Sequence, residues 1–233
     1  MKEHTVTAFD EELGQIGGLL NGMGELAGAM VSGATHALLA GDNALAQRVV
    51  SDDALMDSRQ RELDDRAITL IAKRQPMADD LRAVVGSIRM AGDLERIGDL
   101  AKNIAKRVGA VGQDAIPRTL SHSIDGMAQL VLEQVRGVVE RYTAGDTAGL
   151  AMLRNDDERI DVKYTAVFRE LLTYMMEDPR NITACTHLLF CAKNLERIGD
   201  HVTNVAENAY YVLSGELLPA DRPKADEMAA PTA

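Results

Sequence analysis

Asp93-Leu94-Glu95-Arg96-Ile97-Gly98-Asp99 returns 101 residues later as Asn194-Leu195-Glu196-Arg197-Ile198-Gly199-Asp200. The run Leu-Glu-Arg-Ile-Gly-Asp is unchanged between the two copies. The chain is therefore an internal duplication, and that reading decides the fold before any single element is assigned. Upstream, Ala40-Gly41-Asp42 matches Ala144-Gly145-Asp146, Asp52-Asp53 matches Asp156-Asp157, and Asp57 matches Asp161, all at an offset of 104. The second copy thus lacks three residues between Asp161 and Glu196. Asn103 pairs with Asn204 at the shorter offset.

Each copy reads as three helices. Leu13, Ile16, Leu20, Met23, Ala27, Met30, Ala34 and Ala37 follow the three-four spacing of a helix seam. Gly41-Asp42 punctuates, with Asp42 placed to cap the next helix. That helix runs to about Lys73 with Val49, Met56, Leu63 and Leu70 on one stripe, and Gln75-Pro76 breaks it, because proline cannot continue a helix. A third helix extends to about Val108. Pro117 opens the second copy, with helices near 118–143, 147–176 and 181–213. No stretch alternates with period two strongly enough to read as a strand. The expected fold is all-α, with six helices in two homologous three-helix repeats over 1–112 and 113–217. Residues 218–233 hold three prolines and no periodicity, and are expected to be a disordered tail. The glycines of the first helix (Gly14, Gly18, Gly22, Gly24, Gly28) read equally well as close helix approach or as a weakened helix.

Acidic residues sit four apart, on one helix face, on both helices of each hairpin: Asp53/Asp57 with Glu95/Asp99, and Asp157/Asp161 with Glu196/Asp200. Asp53 and Asp99 lie 23 residues either side of Pro76, and Asp57 and Glu95 lie 19 residues either side. In the second copy the same acids lie 21 and 17 residues either side of the Asp178-Pro179 junction. If the helices are antiparallel, each hairpin brings four carboxylates to one height, roughly 30 Å from its turn. The deletion moved the turn and kept the acids level. They also lie near the packing seam, since Asp53 continues Val49, Asp53, Met56, and Asp157 continues Leu153, Asp157, Ile160. Clustered, partly buried carboxylates repel and are costly to desolvate, which a hard cation with oxygen ligands would relieve. Hardness suits Mg²⁺, Ca²⁺ or Mn²⁺, and helical carboxylate bundles also hold iron. The competing reading is an ordinary solvated face paired to Arg96, Arg197, Lys102 or Arg59.

The bulk composition narrows the function. A formal charge of −11 disfavours nucleic acid. Cys185 and Cys191 fit no zinc or redox spacing and read as packing residues in a reducing cytosol. The longest uncharged run, Ala27–Gly41, is short of a membrane span, and the first ten residues contain no apolar signal segment. Phosphate-loop, zincin and nucleophile-elbow motifs are all missing, so nothing argues for an enzyme. His36, His122 and His187 are scattered and read as structural. His201 is a weak candidate to support a metal ligand.

On these residues the sequence resembles the PhoU family of phosphate-signalling regulators. The likeness rests on Asp93–Asp99, on Asn194–Asp200 with Asn204, on Ala72-Lys73-Arg74-Gln75-Pro76 through Asp80-Leu81-Arg82, and on Leu172–Asp178. It extends over about 10–213. The Gly-rich first helix departs from the charged helix usual in the family. The resemblance implies two three-helix bundles related by a pseudo-twofold axis. It also implies multinuclear metal clusters on Asp53, Asp57, Glu95, Asp99, Asp157, Asp161, Glu196 and Asp200, with Asn103 and Asn204 as neighbours. Iron, zinc, manganese or magnesium are the candidate ions. The implied role is a cytoplasmic, homodimeric negative regulator. It would link the ATPase subunit of the phosphate ABC transporter to a sensor histidine kinase, and meet the membrane only through those partners. A metal-storage protein and a small metallo-hydrolase are the alternatives.

Overall fold

The computed structural model describes residues 2–112 and 118–219. Most of the expected tail, and Pro117, fall outside the described residues. The elements are α1 (Lys2–Ala40), α2 (Asn43–Arg74), α3 (Asp79–Ala105), a single turn α4 (Val108–Val111), α5 (Arg118–Ala144), α6 (Thr147–Asn155), α7 (Glu158–Glu177), a 3₁₀ turn (Pro179–Asn181) and α8 (Ile182–Ser214). No strand forms among the described residues. None of these helices is long and apolar enough to cross a membrane.

The boundaries follow local chemistry. Asp42 caps α2 by accepting from the Leu45 amide at 2.9 Å, and its repeat mate Asp146 accepts from the Gly149 amide at 2.9 Å to cap α6. Gly41 and Gly145 precede these caps with φ of 65° and 70°, a left-handed turn that a side chain would strain. Gln75 closes α2 in the same left-handed region, and Asp178 opens the second hairpin turn by accepting from the Arg180 amide.

One element departs from the sequence reading. The helix expected over 147–176 is broken into α6 and α7 at Asp156-Asp157, where Arg159 and Ile160 bond back three residues to Asp156 and Asp157. Asn155-Asp156-Asp157 is a run of weak helix formers whose short polar side chains compete with the ladder. In the first repeat α2 passes the matching position unbroken.

Each repeat places its third helix against that of the other: α3 packs on α8, and α1 packs on α5, with α2 and the α6–α7 pair outside this central layer. The α3–α8 pair is antiparallel, since Arg82 reaches the Val212 carbonyl, Asp93 meets His201, and Arg107 meets His187. Ile16, Met23, Met56, Leu63, Ile97, Val135, Val167, Ile198 and Val202 are all fully buried in one continuous core shared by both repeats. Each such side chain contributes about 1.5–3 kcal/mol relative to exposure.

The glycines of α1 differ in what they face: a Cβ on Gly22 would stand 3.1 Å from Arg59, and one on Gly28 would make ordinary contact with Val135. A Cβ on Gly24 would overlap Val139 of α5, and one on Gly33 would stand 2.9 Å from Val49, so close approach explains both. Gly14, Gly17 and Gly18 face open space and only loosen the helix. Cys185 and Cys191 are buried and free, and burial pushes the Cys191 thiol up to about 12, which leaves it unreactive.

Candidate metal centre

The α2–α3 hairpin brings the first quartet together. The Lys102 ammonium donates to Asp53 Oδ2 at 2.7 Å and to Asp99 Oδ1 at 2.5 Å, bridging the two helices at the height the spacing required. Arg96 lies 3.6 Å from Glu95 and 3.5 Å from Asp99. Burial, followed by the charge of Asp99 and then those of Asp57 and Asp53, raises Glu95 against an opposing pull from Arg96, so Glu95 feels the other three acids. Burial is the largest influence on Asp99 and works to raise it, but the hydrogen bond and charge of Lys102, joined by the charge of Arg96, together outweigh it and lower that carboxyl. The pairing with Lys102 and Arg96 allowed by the competing reading is thus present. Arg59 instead donates to the Gly22 carbonyl, and Arg197 is exposed.

The second quartet is built differently. Asp157, in the break between α6 and α7, is only 1 % exposed. Its Oδ1 would stand 2.8 Å from a Cβ on Gly199, so the glycine of the repeated motif is what admits the carboxylate against α8. Glu196 accepts from Lys193 at 2.7 Å, and that ammonium rests 5.3 Å from the centre of the Tyr164 ring. Lys193 also feels Asp200. Asp161 and Asp200 are half-buried on the same hairpin.

The two asparagines do not behave alike. Both are exposed, but Asn204 donates to Asp93 Oδ1 at 3.2 Å, across the repeat interface. His201 joins Asp93 at 2.9 Å, which makes it a link between repeats instead of support for a ligand. His187 pairs with Arg107, and His36 and His122 are exposed. Asp93, Glu95, Arg96, His201 and Asn204 border a groove of about 640 Å³ along α3 and α8. Asp93 was missed by sequence reasoning, because its partner lies on the other repeat and its own mate is Asn194.

A model for the PhoU domain matches residues 20–108 and again 124–209, one match on each repeat. The chain belongs to the PhoU family. A phosphate-specific transport system accessory protein PhoU homolog of Rhizobium meliloti is 53 % identical over 223 residues, covering 96 % of this chain and 94 % of that protein. The homolog from Caulobacter vibrioides is 46 % identical over 226 residues, covering 97 % and 98 %. The crystal structure of PhoU from Pseudomonas aeruginosa superposes with a TM-score of 0.85 at 32 % identity, over 89 % of this chain and all of that one. The phosphate transport system regulatory protein PhoU from Streptococcus pneumoniae gives 0.82 at 27 % identity.

Whether these residues suit the metal implied by the PhoU resemblance can be judged from the donors. Among the described residues, no three His, Cys, Asp or Glu groups are already set to hold an ion. The first quartet nevertheless offers hard oxygen donors at one height and already holds a cation, the Lys102 ammonium, between two of them. As placed, Asp53, Glu95 and Asp99 are paired to Lys102 and Arg96, so the donors are of the right kind but are not arranged around an ion.

Proposed function

We propose that this chain is a metal-binding cytoplasmic adaptor that restrains phosphate uptake, linking a phosphate ABC transporter, through its ATPase subunit, to a sensor histidine kinase. The observation that carries the regulatory half is the doubled family motif over nearly the whole chain, shared with relatives named as accessory proteins of phosphate-specific transport. An accessory role needs surfaces and no reacting centre, and no catalytic residue set was found in the sequence. The metal half is supported by the two level carboxylate quartets. Asp53, Asp57, Glu95 and Asp99 would hold ions in the first repeat, and Asp157, Asp161, Glu196 and Asp200 in the second. Metal there would supply positive charge that lets packed carboxylates stay ionised and clamps the two helices of each hairpin. The chain would act as a homodimer, and Asn103 and Asn204 would serve as polar neighbours of the clusters.

Elemental analysis of protein saturated with Mn²⁺, Zn²⁺, iron or Mg²⁺ and then desalted tests the metal half. Glu95→Ala with Asp99→Ala should remove about half of the bound metal, because the quartets come from separate hairpins. Loss of all metal or of none contradicts the two-site reading. A storage protein would instead hold many ions per chain.

A further inference from the structure

Away from the quartets, the second repeat exchanges packing for polarity at a place the first repeat keeps apolar. Gln134 and Arg141 on α5 and Gly149 on α6 stand at the offset of 104 from Met30, Ala37 and Leu45. Met30 and Ala37 are fully buried, and Gly33 on the same helix faces Val49 and Leu45. Gln134 is also buried, at 7 % exposure, but its amide oxygen finds no hydrogen-bond partner among the described residues. The half-buried Arg141 guanidinium makes no hydrogen bond or ion pair among them either. A Cβ on Gly137, the mate of Gly33, would overlap Arg141 Nη1, and one on Gly149 would stand 2.8 Å from Arg141 Cδ and Nε. Two glycines thus make room for the arginine between α5 and α6. Gln134 and Arg141 line one cavity of about 90 Å³, together with Leu153 of α6 and Arg159 and Ile160 of α7.

We propose that this cavity binds a small oxyanion that carries a proton, inorganic phosphate, between Arg141 and Gln134. The cavity exceeds the roughly 30 Å³ share of one water molecule and falls far below the roughly 300 Å³ of an organic-ligand pocket. Arg141 offers a planar fork of N–H donors, which matches two oxygens of an oxyanion. The Gln134 oxygen is an acceptor, and leaving it buried and unpaired is costly, so the guest must also donate. Phosphate keeps at least one proton at neutral pH and meets both demands. Sulfate keeps none. Arg159, exposed at the mouth, adds a second cation, while the exposed acids Glu133 and Asp156 beside it disfavour a fully ionised guest. Asp146 stands by Gly149 but is engaged in capping α6. Phosphate held there would tie α5 to the first turn of α7, next to the break at Asp156-Asp157. The first repeat lacks such a site, because Met30, Ala37 and Leu45 carry neither a side-chain donor nor an oxygen acceptor.

Calorimetric titration of the full chain with inorganic phosphate, at neutral pH after chelator treatment and desalting, tests this. Wild type should bind one phosphate per chain with a dissociation constant of about 1 mM or tighter. Arg141→Ala, which restores the first repeat's residue, should weaken binding at least about tenfold. Arg141→Lys should weaken it less, since the charge remains while the fork is lost. Gln134→Met, again the first repeat's residue, should also weaken binding, yet melt no lower than wild type, because it removes a buried unpaired amide. That variant separates loss of the site from loss of the fold. Sulfate should bind at least about tenfold more weakly than phosphate. The proposal is overturned by no phosphate binding to wild type at about ten times the expected constant, by binding that neither Arg141→Ala nor Gln134→Met changes, or by equal binding of sulfate. Those results would leave the metal and adaptor readings standing, since these rest on other residues.

Discussion

A strain lacking this protein will express its phosphate-starvation genes in phosphate-rich medium as strongly as a starved wild type, and will accumulate phosphate. The expectation follows from membership of the PhoU family and from the relatives' role as accessory proteins of phosphate transport. If the chain is the proposed adaptor and reports sufficiency by its presence, removing it should leave a partner kinase in its starved state. Transcript levels of the transporter operon in replete medium give the readout. Re-expression of the wild-type chain should restore repression. A chain with Glu95, Asp99, Glu196 and Asp200 all changed to Ala should restore less, if metal holds the hairpins in their working shape. Normal repression in a clean deletion, in a strain with no second copy, contradicts the regulatory reading.

Metal removal should have the second large effect, on stability. Four carboxylates in each hairpin must be deprotonated to hold an ion, so the gain from metal depends on pH. In the metal-free protein Glu95 is raised, by burial first and then by Asp99, Asp57 and Asp53. A raised folded value gives stability that is present below the unfolded value of about 4.3 and is lost as pH rises through the folded one. Asp64, raised by burial and by Asp65, runs the same way. Asp99 runs oppositely. Burial pushes it up, but Lys102 holds it low, so its contribution is present above about 3.9 and is lost as pH falls through the folded value. Stripped protein therefore loses the Glu95 and Asp64 contributions on the way from acid to neutral pH, where metal can return stability. Comparing melts with and without ion at each pH cancels the other titrating groups. At about a hundredfold excess over its dissociation constant, Mn²⁺ should raise Tm by about 5–11 °C at neutral pH, and by nothing measurable near pH 4. An unchanged Tm after chelation at neutral pH would make the acids an ordinary paired face.

Much of this molecule could be read from one dimension because the duplication supplies its own control. The hairpin turns, the caps at Asp42 and Asp146 and the level acids repeat, and a feature kept in both copies across a deletion is held by geometry. What could not be read were the contacts between repeats. Asp93 with His201, Arg107 with His187 and Gly86 against Val212 join residues far apart in the chain, and no spacing rule connects them. The break at Asp156-Asp157 was hidden for a different reason. The apolar stripe through Leu153, Ile160 and Val167 carries across it, so periodicity alone runs on. The role of Lys102 was half visible. It stood among four cations that could pair with the acids, but its reach to both Asp53 and Asp99 depends on how closely α2 and α3 pack.

Co-purification bears most directly on the adaptor at the centre of this account. The tagged chain should be captured from cells grown in excess phosphate, and the eluate probed for the transporter's ATPase subunit and for the sensor kinase. The account predicts that both are retained, and that both are reduced when the two quartets are changed to alanine. Recovery of the folded chain with neither partner, from cells that contain both, would contradict it.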